Sequence, residues 1–183
     1  MKDPILVDKL FSDSEFNDLK NYLLNRPKDK SEYDEHFGRY CFADSFIDKY
    51  FELATIVARD IFNSKTLVPS YSLFAHYEGE NAKLWEHKDD NACTYTLDFC
   101  VYQEIPWGLF VEEKEYFLNE NQALGFYGND QKHSRGAFKP GNIVAMIFFH
   151  FVEPDHWWLT KGPGYIDVIR GLKTEEEWEV RQT

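Results

Sequence analysis

The sequence predicts a mainly β chain of the α+β class: a jelly roll, that is, a cupin-like double-stranded β-helix, buttressed by N-terminal helices. Three observations lead there. Apolar residues recur at helical spacing in two stretches before residue 66, and at a spacing of two from residue 67 onward. The later stretches are short and are separated by Gly, Pro, Asn and Asp. Aromatic residues make up 17% of the chain and fall mostly in those short runs, which suits a sheet-rich core. With 183 residues, 43% of them hydrophobic, one sizeable core is affordable, so 1–183 is read as a single domain. Its parts are a helical lead-in (1–66), a β-helix core (67–152) and a C-terminal extension (153–183).

Taken in order, 5–7 reads as a short strand, and Ser12-Asp-Ser-Glu15 is a capping box that opens a helix with Phe16, Leu19 and Leu23 on one face. That helix ends near Arg26-Pro27. The segment 28–42 is polar and reads as a loop. Phe46, Tyr50, Leu53, Val57 and Ile61 then mark a second helix. From Leu67, Tyr71, Leu73, Ala75 and Tyr77 alternate with Ser72, Phe74 and His76 as a strand that breaks at Glu78-Gly79. Further strands are expected at 83–87, 93–102, 108–112, 115–118, 123–127, 133–138 and 143–152, a number that fits a jelly roll. Beyond Pro154, Thr174 to Glu177 is expected to cap a last helical turn containing Trp178.

Charge and cysteine content narrow the function. A net charge of −12 repels a phosphate backbone or an anionic membrane, so direct nucleic-acid binding is disfavoured. Cys41, Cys93 and Cys100 form no CxxC and no even-numbered framework, and are read as buried thiols of a reducing compartment. The N-terminus lacks a signal-like apolar run and 143–152 is too short to span a bilayer, so the expectation is a soluble cytoplasmic protein without membrane association.

The residues with chemical potential are His87-Lys-Asp89 and His133, the latter 44 residues after Asp89. In an extended segment, i and i+2 share a face, so His87 and Asp89 both point into a barrel, and a facing strand can bring in His133. Two neutral imidazoles and one carboxylate on an octahedral face suit Fe(II) and leave positions open. His150 is the rival third ligand. If its strand begins at the metal end, it is displaced by roughly 20 Å or more along it. His36, His76 and His156 read as surface or packing groups, as do Phe148, Phe149 and Phe151. Trp85 and Trp107 flank the mouth, with packing as their default role.

At these residues the chain resembles the Fe(II)/2-oxoglutarate dioxygenase superfamily, and within it the prolyl-4-hydroxylase-like oxygenases, over residues 67–152. Tyr77-Glu-Gly leading to His87-Lys-Asp89 is similar to the family's approach to its His-x-Asp pair. Trp107-Gly-Leu-Phe110 and Gly125-Phe-Tyr-Gly leading to His133 are similar to its later turn and its distal histidine strand. The resemblance implies an iron enzyme that decarboxylates 2-oxoglutarate as cosubstrate, with ascorbate as an accessory, and hydroxylates an unactivated C–H bond of a peptidyl, prolyl-like group or a small molecule. Asp89 is present, which argues for hydroxylation over halogenation. The family also places an Arg or Lys about ten residues after the distal histidine, to pair with the far carboxylate of 2-oxoglutarate. Here that stretch reads Asn142-Ile143-Val144-Ala145. Arg135, two residues after His133, is nominated instead, then Lys139, with Tyr77 or Tyr95 supplying a hydroxyl. Two other readings stand beside this one. One is a metal-binding or metal-free β-helix protein that does not use 2-oxoglutarate; the other, ranked last, is a cupin-type metalloenzyme, whose usual His-x-His pair is missing.

Overall fold

The protein is described by a computed structural model covering residues 2–43, 45–162, 168 and 174–176. It divides into two compact units, Met1–Val152 and Glu153–Thr183.

In the first unit, β1 (Ile5–Val7) precedes α1 (Asp13–Leu24). The expected capping box opens that helix: Ser12 accepts from the Glu15 backbone while the Glu15 carboxylate accepts from the Ser12 N–H, satisfying two otherwise orphaned donors. Phe16, Leu19 and Leu23 are its buried stripe. The polar segment after it is not a plain loop. It carries a 3₁₀ turn (Lys28–Lys30), β2 (Glu32–Asp34) and β3 (Arg39–Phe42). Its charges hid an edge hairpin, because an edge strand needs only one apolar face. In α2 (Ser45–Ile61) the fully inward residues are Ile47, Tyr50, Phe51, Ala54, Thr55 and Ala58, whereas Phe46, Leu53, Val57 and Ile61 lie at the margin. The expected face was therefore rotated, because small residues, which carry little weight in a hydrophobic pattern, make the closest approach.

The remaining strands are β4 (Val68–Glu78), β5 (Tyr95–Gln103), β6 (Leu109–Val111), β7 (Lys114–Tyr116), β8 (Ala123–Phe126), β9 (His133–Arg135) and β10 (Ile143–Val152). The major sheet runs β1-β8-β5-β10-β4-β3-β2 and the minor sheet β7-β6-β9. The strand expected at 83–87 is reduced to a single antiparallel bridge, His87 to His133, and the one expected to reach residue 138 ends at Arg135. Gly136 and Pro140 punctuate that stretch.

Period-two alternation sorts the major sheet into two cores. Leu97, Phe99 and Val101 of β5, with Ala145, Ile147, Phe149 and Phe151 of β10, pack under the two helices. Their neighbours Cys100, Val144 and Met146 face the minor sheet, together with Ala75, Tyr77, Leu124 and Phe126. Burial of each such large apolar side chain contributes about 1.5–3 kcal/mol. All three cysteines are buried and free, as expected. No helix among the described residues is long and apolar enough to cross a membrane. The second unit contains α3 (Trp158–Lys161). The turn expected around Trp178 lies outside the described residues.

Candidate metal centre

Gly79, at φ +79°, turns the chain out of β4, and Ala82 and Leu84 then anchor the following segment in the inter-sheet core. Past them, His87 exchanges both backbone hydrogen bonds with His133, at 3.0 and 2.9 Å, and the Asp89 N–H donates to the Gly128 carbonyl at 2.9 Å. A short extended segment is thus pinned to β9 on one side and to the turn after β8 on the other. Gly128 is required at this crossing: a Cβ there would lie 2.4 Å from Asp89 Oδ2 and 2.5 Å from Thr96 Oγ1.

One donor atom each from His87, Asp89 and His133 falls within 4.8 Å of the others. The Nε2 atoms of His87 and His133 stand 3.5 and 3.4 Å from Asp89 Oδ1. Each Nδ1 faces a backbone carbonyl, Trp85 O at 2.7 Å for His87 and Gln131 O at 3.1 Å for His133. A carbonyl only accepts, so each Nδ1 carries the hydrogen and each Nε2 turns its lone pair toward Asp89. The space between those nitrogens and Oδ1 therefore calls for a cation, either a proton on an imidazolium or a metal ion. The separations exceed the ~2.7–2.9 Å of a charge-assisted hydrogen bond, and the donor set suits a divalent first-row metal. Burial presses the Asp89 carboxyl upward, but the two imidazoles more than offset it and hold its pKa below the usual range. Burial likewise lowers His133, and Asp89 outweighs it, leaving that imidazole raised.

His150 proves to be a neighbour of this cluster. Strand β10 runs toward the triad, so His150 ends opposite Thr96 on β5, with its Nδ1 3.0 Å from the Thr96 hydroxyl. That hydroxyl is 3.5 Å from Asp89 Oδ2. The expected displacement of roughly 20 Å along the strand assumed the opposite strand direction. Burial lowers the His150 pKa to about 4, so it is neutral at physiological pH. Its ring lies against Tyr71 (centroids 4.7 Å apart), whose hydroxyl contacts Cys93 Sγ at 3.1 Å.

Of the residues nominated for a cosubstrate, Arg135 and Tyr77 both pack on the Trp107 ring, whereas Lys139 and Tyr95 do not join them. Arg135 does point inward, but its guanidinium pairs with Asp98 at 2.7 Å, donates to the Trp107 carbonyl and lies over the Trp107 ring. Both partners are almost fully buried, leaving Asp98 Oδ1 and Arg135 Nε without hydrogen-bond partners among the described residues. Burial raises the Asp98 pKa while Arg135 pulls against it. Lys139 is exposed, and Tyr95 packs against Phe62 and Tyr127 on the helix side of the sheet. Tyr77 is fully buried in the inter-sheet core, where its hydroxyl accepts from Arg39 Nη1 at 2.8 Å. Arg39 was not singled out from sequence. It lies on β3 opposite Tyr77, its Nε donates to Asp34 Oδ2 at 3.0 Å, and its guanidinium lies 4.5 Å from the Phe37 ring centre. Phe37 in turn meets the His87 ring at 5.5 Å. The signal that could have found it was the alternation Arg39, Cys41 against Tyr40, Phe42.

At the rim, Trp85 is 58% exposed, whereas Trp107 is buried against Tyr77 and Phe138 with its Nε1 donating to the Gly136 carbonyl at 2.8 Å. His76 sits on the opposite face from Tyr77 and contacts Glu78, and His36 lies in an exposed turn.

No family model matches the sequence, and no curated protein matches it. Solved structures match the fold: it is a double-stranded β-helix, similar to that of several solved 2-oxoglutarate/Fe(II) oxygenases. The viral collagen prolyl hydroxylase of Paramecium bursaria Chlorella virus-1, in complex with 2-oxoglutarate, is 15% identical with a TM-score of 0.59, covering 82% of this chain and 97% of that one. HygX of Streptomyces hygroscopicus, with nickel and 2-oxoglutarate bound, is 9% identical with a TM-score of 0.61, covering 83% of each chain. EctD of S. alaskensis with bound Fe is 11% identical with a TM-score of 0.62, covering 82% of this chain and 72% of that one.

Proposed function

We propose that the protein is a 2-oxoglutarate-dependent Fe(II) oxygenase that hydroxylates a C–H bond in a peptidyl, prolyl-like group or a small molecule. The observation that carries this reading is the convergence of His87, Asp89 and His133 with both Nδ1 atoms tied to carbonyls. His87, Asp89 and His133 would hold the metal, which, with 2-oxoglutarate and dioxygen, supplies the oxidising chemistry. The likeness to structures that contain 2-oxoglutarate supports the cosubstrate.

The protein's own part is to bind, orient and keep water out. Trp85 O and Gln131 O fix the imidazole tautomers. Arg39, with the Tyr77 hydroxyl beside it, is the cation best suited to receive the distal carboxylate of the cosubstrate, because its own partner Asp34 is partly exposed whereas Arg135 is sealed against Asp98 in the core. Trp85, exposed two residues before His87, and Phe37, packed on the His87 ring, would be the first side chains to contact the substrate.

A second reading keeps the metal and drops the cosubstrate, and the engagement of Arg135 by Asp98 favours it. Anaerobic Fe(II) titration with and without 2-oxoglutarate separates the two. Wild type is expected to develop the weak visible metal-to-ligand charge-transfer band only with both components. His133→Ala should lose the band through loss of iron, and Arg39→Leu should bind iron but require at least ten-fold more 2-oxoglutarate. Iron binding without any band in wild type would leave the metalloprotein reading.

A further inference from the structure

Asp89 reaches the two imidazoles with one oxygen, Oδ1, and its other oxygen faces a buried pair of side chains outside the triad. Oδ2 lies 3.5 Å from Thr96 Oγ1, and Thr96 Oγ1 lies 3.0 Å from His150 Nδ1. Thr96 and His150 are 2% and 5% exposed and stand directly opposite each other on β5 and β10. The direction of this chain follows from the donor inventory. An ionised carboxylate only accepts, so the threonine hydroxyl turns its hydrogen toward Oδ2, and its oxygen must then accept from a hydrogen on His150 Nδ1. A β-branched side chain is stiff at χ1, which restricts the directions the hydroxyl can take. Space around the contact is tightly used: the absent side chain of Gly128 leaves room for both Oδ2 and the hydroxyl.

We propose that Thr96, oriented by His150, is a positioning residue that holds Asp89 to a single ligating oxygen. The inference rests on the metal-centre reading above but not on 2-oxoglutarate. Drawn in from its present 3.5 Å, a hydrogen bond from the hydroxyl to Oδ2 would keep the carboxylate from rotating into a bidentate mode. A bidentate carboxylate would take up one of the coordination positions that the open face needs. Hydrogen-bonding partners behind metal ligands typically change metal affinity by about 10–100-fold.

The test uses Co(II) as the probe under anaerobic conditions, with visible d–d absorption reporting both affinity and coordination number. Thr96→Val keeps the shape and removes the hydroxyl; it is expected to weaken Co(II) binding at least about ten-fold and to change the band intensity toward higher coordination. Thr96→Ser should restore both. His150→Phe should reproduce part of the loss and His150→Asn should recover it. In a Thr96→Val background, His150→Phe should add nothing, because it acts through the hydroxyl. Circular dichroism of each variant checks the fold, and the His150 pair tests the same chain should Thr96→Val not fold. A wild-type spectrum and affinity in Thr96→Val, or additive losses in the double variant, would overturn the proposal. Absence of Co(II) binding by wild type, or equal binding by His133→Ala, would overturn the metal centre and the proposal together.

Discussion

At the residue scale, the centre is defined less by its three candidate ligands than by the groups that leave them no freedom. Gly128 has no side chain where one would strike Asp89, and two carbonyls settle which imidazole nitrogen is bare. His150 adds a pH dependence. Its pKa falls from 6.5 to about 4 in the folded state because burial penalises the charged ring. Between those values the unfolded chain binds a proton that the folded protein does not, so stability is full above about pH 6.5 and declines as the pH falls toward 4. The loss is on the order of 3 kcal/mol. Urea denaturation of the metal-free protein from pH 7.5 to 4 should show that decline, and His150→Phe should flatten it; an unchanged slope in the variant would assign the effect elsewhere. His87 and Asp89 were legible as a pair because i, i+2 side chains of an extended segment share a face, and His133 was legible through the resemblance that placed a distal histidine after Gly125-Phe-Tyr-Gly. The place of His150 was not, since it depends on which way β10 runs, and the apolar run 143–152 reads the same in either direction.

At the level of elements, the hairpin of β2 and β3 carries the groups that approach the centre from the major sheet's edge. Gly38 is its pivot. At φ +62° it occupies the left-handed region, and a Cβ there would sit 2.0 Å from the Asn81 carbonyl oxygen, next to the point where the Lys83 N–H bonds to Phe37 O. Gly38→Ala must therefore push the hairpin away from the 81–83 segment, at a cost of about 1–3 kcal/mol. The melting temperature should fall by about 2–8 °C. Iron affinity should hold, because no candidate ligand lies on the hairpin, while the apparent affinity for 2-oxoglutarate falls. Equal losses in both titrations would mean that the whole centre has shifted. This hairpin is also what the sequence concealed. Glu32, Asp34, Glu35 and Arg39 give 28–42 the charge of a solvated loop, whereas the observed Arg39 spends that charge inside, on Tyr77 and Asp34. The strands with two apolar neighbours, β4, β5 and β10, were legible nearly to their ends for the opposite reason.

Across the whole molecule, the two sheets are joined unequally. The major sheet is knitted by long ladders, with β10 between β4 and β5 and with β1, from the start of the chain, closing on β8. Among the described residues the minor sheet has three short strands. Its β9 contributes His133, while Asp89 is fastened to the turn after β8 of the major sheet and His87 bridges back to β9. The three donors therefore belong to both halves of the β-helix, and an ion held between them would work as a rivet through the seam. Its removal should loosen the halves to different degrees. In hydrogen-exchange mass spectrometry, chelation is expected to speed exchange of the amides in 109–116 and 133–135 several-fold while leaving 96–101 and 145–151 protected. Uniform acceleration of all four segments would mean that the sheets open as one body. A metal ion in such a place would also serve as a fastener, so that its loss and loosening of the minor sheet would become a single event.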